Sequence, residues 1–370
     1  MATLNRREWL ARSSASLGAL LLTGPAGLAN AFPDPLAAAS AAPFRLHYNE
    51  NPYGPSEAAR RAMIEAFSEA NLYTREAAQA LRNLIAEQEN ISPDYVMLGS
   101  GSGEILNAAG LVFGIHNGEI VTAYPSFEGL TFYAERVGAT VHRVPLTEDM
   151  QYNLGAMQQR LTNAMRLVYI CNPNNPTGTL IPTDDLRSFC VDTAQRAVVF
   201  VDEAYREYVD APDFKSMIDL VRDGHNVIVS RTASKIHALA GLRVGFGFAH
   251  PDLIKQMQNH VTGSLNVVGL RGALASYGDV TFQAQSHQQN NDAKNRLYTL
   301  LDNKGCTYLP TQTNFVFFRT GQPIREFRDA MEERGVLVAR PFPPYTDWCR
   351  VSLGTPDAMD AFATALNAVL

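Results

Sequence analysis

Thr232-Ala233-Ser234-Lys235, separated by four residues from Ala240-Gly241-Leu242-Arg243-Val244-Gly245-Phe246, is the stretch on which the fold turns. A lysine eight residues before an arginine, with hydroxyls just upstream and glycines around it, suits one task well. The amine can form a Schiff base with an aldehyde, while the arginine and hydroxyls grip a phosphate. If Lys235, Ser234 and Arg243 do this, most of the rest of the chain should supply the remaining contacts of a group carrying both functions.

The chain around this stretch alternates. Short apolar strands are expected near 95–98, 119–123, 139–144, 166–171, 197–202, 226–231 and 243–248, with helices near 102–113, 126–136, 153–162 and 183–194 between the earlier ones. Such alternation predicts an α/β fold, a mainly parallel central sheet with helices on both faces. Ser56 caps an expected helix, and 76–89 is a second, amphipathic one. Beyond about 265 a long polar helix (281–302), Asn314–Phe318, a helix at 323–334 and the strands Val336–Ala339 and Arg350–Leu353 predict a smaller α+β domain. The domains expected are 76–264, the large one, and 46–75 with 265–370, the small one.

At 370 residues, 46% hydrophobic and 18% charged, the chain is large enough for these two subdomains. A formal charge of -6 without a basic run argues against a nucleic-acid partner. Four scattered cysteines, Cys171, Cys190, Cys306 and Cys349, have no spacing that suggests a metal site or a disulfide framework, and are read as buried free thiols. The first thirty residues differ. Arg6-Arg7, the apolar Ala15–Leu22 and Ala29-Asn30-Ala31 form, in order, the parts of a twin-arginine signal peptide (1–31), followed by an Ala/Pro-rich linker (32–45). The apolar part is too short for a comfortable membrane span. Export to the periplasm through the twin-arginine machinery, with a mature start at Phe32 and no membrane attachment, is expected.

Further motifs sit at expected strand ends, where ligands bind in open α/β sheets. Val201-Asp202-Glu203-Ala204-Tyr205 places a carboxylate there, which can pair with a protonated pyridine nitrogen and make the ring an electron sink; a strand-end acid capping a turn fits equally well when taken alone. Tyr205 can reach the ring's phenolic oxygen, and Asn175, in the stiff loop Asn172-Pro173-Asn174-Asn175-Pro176-Thr177-Gly178, can donate to the same atom. Gly99-Ser100-Gly101-Ser102-Gly103 bridges a strand and a helix; its glycines admit a phosphate and the helix end offers free N–H groups. Phe127 can stack on a ring face, though an ordinary core aromatic explains it as well. Arg350, in Arg350-Val351-Ser352-Leu353, can fork onto a carboxylate. Pyridoxal 5′-phosphate (PLP) carries the aldehyde, phosphate and pyridine that these groups require.

Together with Asn49-Glu50-Asn51-Pro52-Tyr53-Gly54, these motifs resemble the fold type I PLP-dependent aminotransferases, class I/II, and within them the histidinol-phosphate aminotransferase-like branch, from about residue 46 to the end. The resemblance implies catalysis by Lys235, Asp202 and Tyr205. It implies a cofactor site of Gly101, Ser102, Phe127, Asn175, Asp202, Tyr205, Ser234, Lys235 and Arg243, joined across a two-fold dimer interface by Tyr73. Arg350, Asn51 and Arg340 are implied on the substrate side, with no metal. The activity implied moves an amino group between an α-amino acid, or a histidinol-phosphate-like amine, and a 2-oxo acid such as 2-oxoglutarate, with ping-pong kinetics. A PLP decarboxylase or lyase on the same scaffold, or a non-catalytic PLP-binding protein, stays open.

Two places leave the branch's pattern. No Pro-Tyr element precedes Asn49, and Gly335-Val336-Leu337-Val338 is followed by Ala339, with Arg340 one place late. A one-residue slip in a strand reverses the face. With the aromatic bulk of Pro341–Tyr345, an apolar or aromatic substrate side chain is as open as a phosphate ester.

Overall fold

The computed structural model describes residues 42–261 and 263–370; the signal peptide and nearly all of the linker expected at 1–45 lie outside the described residues. Arg45–Leu370 forms one compact unit. After β1 (Phe44–Leu46) come α1 (Glu57–Ala66) and α2 (Arg75–Gln88), then the strands of a seven-stranded sheet. These are β2 (Val96–Gly99), β3 (Glu119–Tyr124), β4 (Thr140–Pro145), β5 (Met165–Cys171), β6 (Val198–Asp202), β7 (Val227–Thr232) and β8 (Gly245–Phe248). Their order is β2-β8-β7-β6-β5-β3-β4. Only β8 runs antiparallel to its neighbours, so the sheet is mainly parallel.

The sheet is buried on both faces because β5 to β7 carry unbroken apolar runs (Leu167–Cys171, Val198–Val201 and Val227–Val229) and side chains alternate across a strand. Val168, Ile170, Val199, Val201 and Val229 join one core; Leu167, Tyr169, Phe200 and Ile228 join the other. On the first face lie α2, α6 (Thr183–Thr193) and α9 (Val267–Gly278), through Leu81, Phe189 and Leu270 among others. On the second lie α3 (Ser102–Gly114), α4 (Gly129–Arg136) and α8 (Pro251–Gln258), through Ile105, Leu130 and Ile254. Two shorter helices, α5 (Leu154–Gln159) and α7 (Ile218–Arg222), complete the connections.

The rest of the chain builds a second core. It uses α10 (Val280–Asn303), β9 (Tyr308–Leu309), β10 (Phe315–Arg319), α11 (Ile324–Glu332), β11 (Val336–Val338), β12 (Trp348–Ser352) and α12 (Pro356–Val369). The antiparallel sheet β12-β10-β9 packs Val316, Phe318, Cys349 and Val351 against Phe327 and Phe362. By the same alternation, Phe315, Phe317 and Arg350 point the other way, out of this core. β1 pairs with β11. Ser56 caps α1 as expected, its Oγ accepting from the Ala59 N–H at 3.1 Å. Three cysteines are buried free thiols, while Cys306 is only partly buried.

Candidate active site

One edge of the large sheet gathers the site. Cys171, Asp202 and Ser230 are paired across β5, β6 and β7, so these parallel strands end almost abreast. Gly245, where antiparallel β8 begins, pairs with both Thr232 and Gly99 and so starts at that edge. The chain passes from β3 outward to β4, then back across β3 to β5. Adjacent β3 and β5 therefore flank the point where connections diverge, the usual place for a ligand crevice. A cavity of about 550 Å³ opens there, large enough for a cofactor-sized ligand.

One end of the cavity is a cradle of donors. Ser102 and Gly103 begin α3, where backbone N–H groups have no intrahelical acceptor. Gly245 must lack a side chain, since a Cβ there would lie 2.2 Å from the Ser102 nitrogen. Gly101, at φ +76, faces Arg243 so closely that a Cβ would sit 2.1 Å from its Nη2. Arg243 itself adopts left-handed backbone at φ 55, uncommon for a residue with a Cβ. That geometry turns its guanidinium back over the loop, where Nη1 donates to the Ala240 carbonyl at 3.0 Å and to Ser234 Oγ at 3.4 Å. Thr232 Oγ1 lies 2.8 Å from Ser234 Oγ. Cation, hydroxyls and helix end together suit a phosphate.

The middle of the cavity holds Lys235 opposite Asp202. Lys235 Nζ donates to the carbonyls of Asn49 at 3.0 Å and Tyr48 at 3.3 Å. Burial, helped by the nearby Arg350 charge, lowers its amine to about 8. Asp202 is buried, and its Oδ1 accepts from Ser230 Oγ at 2.7 Å. Burial raises its carboxyl to about 6, against that hydrogen bond and the Lys235 charge. Tyr205 Oη receives Nδ2 of Asn49 at 3.0 Å and Nδ2 of Asn175 at 3.4 Å. Burial pushes its phenol well above the ordinary value. Phe127 lines the same space from the β3 side.

The far end is basic. Arg350 Nη1 donates to Asn175 Oδ1 at 2.5 Å and Nη2 to the His47 carbonyl at 2.8 Å, while its buried Nε has no partner. Burial holds this guanidinium below its ordinary pKa. Arg340 lines the cavity, contrary to the slip expected from its late position. The reason is that β11 ends at Val338, so strand alternation no longer governs residue 340. The guanidiniums of Arg340 and Arg350 stand 4.5 and 5.0 Å from the Phe342 ring centroid.

Three expected residues do not line the cavity. Gly101 lies behind Arg243, and Gly103 lines the wall instead. Asn51 Nδ2 is spent on the Ile236 carbonyl at 2.9 Å and on Ser286 Oγ, beside a separate small void. Its neighbour Asn49 occupies the cavity wall instead. Tyr73 is 94% exposed and touches no part of the cavity lining of its own chain. Sequence reasoning missed Ser230, Asn49, His47 and Arg328, all of which touch Asp202, Tyr205 or the cavity wall. A signal existed for Arg328: it lies four residues after Ile324, on the face that α11 buries.

Residues 43–366 match the family model described as aminotransferase class I and II. A histidinol-phosphate aminotransferase of Symbiobacterium thermophilum is 36% identical over 329 residues, 88% of this chain and 90% of that one. An aromatic amino acid aminotransferase of Thermobifida fusca is 35% identical over 321 residues, covering 86% of this chain and 88% of its own. Among solved structures, a provisional histidinol-phosphate aminotransferase of Erwinia carotovora atroseptica superposes with a TM-score of 0.86 at 33% identity, over 88% of this chain and 95% of that one.

Proposed function

This chain belongs to the aminotransferase class I and II family, an enzyme that uses PLP to transfer an amino group, and on that premise we propose how its residues divide the work. The cradle fits the cofactor's phosphate because Gly101 and Gly245, lacking a Cβ, let Arg243 and the start of α3 close up, so that a guanidinium, hydroxyls and free N–H groups converge at one end of the cavity. Gly101, Ser102, Ser234 and Arg243 would hold that phosphate, with Phe127 against the ring. Bound PLP supplies an electrophilic carbon for the amino group and a protonated ring that draws electrons from the substrate's α-carbon. Asp202, fixed by Ser230, would hold the ring nitrogen in its protonated form, and Asn175 and Tyr205 would face the phenolic oxygen. Lys235, a half-neutral amine near pH 8, would accept at Nζ the proton of the substrate's α-carbon and hold it for return. Arg350 orients the substrate carboxylate through its unpartnered Nε.

The observation that carries this reading is the convergence of Lys235, Asp202 and Arg243 on one cavity from three separate strand ends. We propose as donor an α-amino acid, or an amine of the histidinol-phosphate kind, and as acceptor a 2-oxo acid such as 2-oxoglutarate. Relatives named for histidinol phosphate and for aromatic amino acids stand at 36% and 35% identity, so identity does not choose between them. A donor screen with 2-oxoglutarate tests the reading: glutamate should form with at least one of histidinol phosphate, phenylalanine or tyrosine. No glutamate from any amine would sink it.

A homodimer belongs to this proposal. Ile64, Phe67, Leu72 and Tyr73 expose apolar side chains within ten residues, and a second copy would cover them and receive Tyr73 near its cradle. Export is likewise proposed from Arg6-Arg7 and the apolar stretch that follows. Finding the chain uncleaved in the cytoplasm would contradict it.

A further inference from the structure

The cavity holds more positive charge than the proposed reaction uses. Lys235, Arg243, Arg328, Arg340 and Arg350 line the cavity, against the carboxylates of Asp202 and Glu50. Glu50 already pairs with Arg45 at 2.7 Å, and Arg340 faces Glu128 at 3.9 Å. A cofactor phosphate accounts for Arg243 and a substrate carboxylate for Arg350. Arg328 is left over. It projects from α11 and, among the described residues, has no ion-pair partner, and its buried Nε has no acceptor. His47, on the segment that follows β1, presents a buried Nδ1 that is likewise unpartnered. Buried polar atoms are nearly always satisfied; the orphaned Arg328 Nε–H, and His47 Nδ1 in the tautomer that carries its proton there, point to an acceptor that arrives with the ligand.

We propose that Arg328 and His47 form a second anion-binding subsite, which takes the acidic group at the far end of the substrate's side chain while Arg350 takes the α-carboxylate. The inference rests on the aminotransferase reading above and adds the substrate's chemistry to it. The ligand is an amino acid or 2-oxo acid bearing two separated anions, or an amine ending in a phosphate. Arg340 and Arg350 both stand over the Phe342 ring, so Arg340 lines the cavity beside the α-carboxylate position. Arg328 acts as a specificity-determining residue, not a catalytic one.

The test uses the PLP-loaded enzyme, so that the phosphate cradle is already filled. Glutarate, pentanoate and inorganic phosphate are titrated calorimetrically and through the cofactor's absorption. Glutarate should bind at least about tenfold more tightly than pentanoate, the worth of a charge-assisted hydrogen bond. Arg328→Met should erase that preference, Arg328→Lys should restore part of it, and Arg350→Met should weaken both acids alike. Phosphate binding that exceeds glutarate binding and falls with Arg328→Met would also support the subsite, and would identify its occupant as a phosphate ester. Equal binding of glutarate and pentanoate by the unsubstituted enzyme, together with phosphate binding that Arg328→Met leaves unchanged, would overturn the subsite. So would Arg328→Met and Arg328→Lys variants that weaken glutarate and pentanoate by the same factor. Absence of the cofactor band from the unsubstituted protein would instead count against the cofactor-site reading, which keeps the two failures apart.

Discussion

Lys235 carries its chemistry in an amine that burial has made half-neutral at about pH 8. The sign follows directly: only the neutral amine attacks an aldehyde, and its share falls tenfold per unit below that value and is nearly complete above it. In cofactor-free protein the rate of PLP capture should therefore climb from pH 6 to about 8 and then level off. Stopped-flow absorbance checks this; a rate still rising through pH 10 would indicate an ordinary exposed lysine. Lys235, Asp202 and Arg243 were legible because each sits at a strand end or beside glycines that leave a trace in the sequence. His47 and Arg328 left little trace. Their role depends on which buried atoms lack partners, and that is decided by packing between distant segments.

At the end of β6 Asp202 lines the cavity, held by Ser230 of β7, and neither of the residues that follow them lines it. Those residues, Glu203 and Arg231, form a buried pair with a 3.1 Å contact, and Arg231 also reaches Glu89 at the end of α2. Glu203 further accepts from Ser216 Oγ and the Met217 N–H. Removing Arg231 would leave Glu203 with less compensation in a dry site, a loss of about 3–5 kcal/mol for a buried pair. Arg231→Met should lower the urea midpoint accordingly, whereas Arg187→Ala, which breaks an exposed pair with Asp223, should cost under about 1 kcal/mol. Equal effects would show that the buried pair adds nothing. At this scale β5, β6 and β7 were readable because they are apolar on both faces. Helix α9 was not, because Gly269, Gly272 and Gly278 hide its period. Two of those glycines are needed for close approach: a Cβ on Gly272 would lie 2.8 Å from Met63 Cγ, and one on Gly269 would lie 2.7 Å from the Leu242 carbonyl.

At the scale of the molecule, the cofactor groups stand on the large sheet while Arg350 and Arg328 come from the second core, so the cavity exists only where the two meet. Alternation on β12 turns Arg350 toward the large sheet while Cys349 and Val351 fill the second core. That an arginine of the smaller part of the chain, Arg350, would face the cavity was legible from the motif Arg350-Val351-Ser352-Leu353. The position of Arg340 was not, because the end of β11 could not be read to one residue. The central claim is that PLP sits in this cavity on Lys235 and passes an amino group through it. The visible absorption of the purified, PLP-treated protein and of its Lys235→Ala variant tests this most directly. The account predicts a band that an amino donor bleaches and 2-oxoglutarate restores, and that Lys235→Ala lacks while keeping its native circular dichroism. A folded Lys235→Ala variant with an undiminished band that responds to the donor would contradict it.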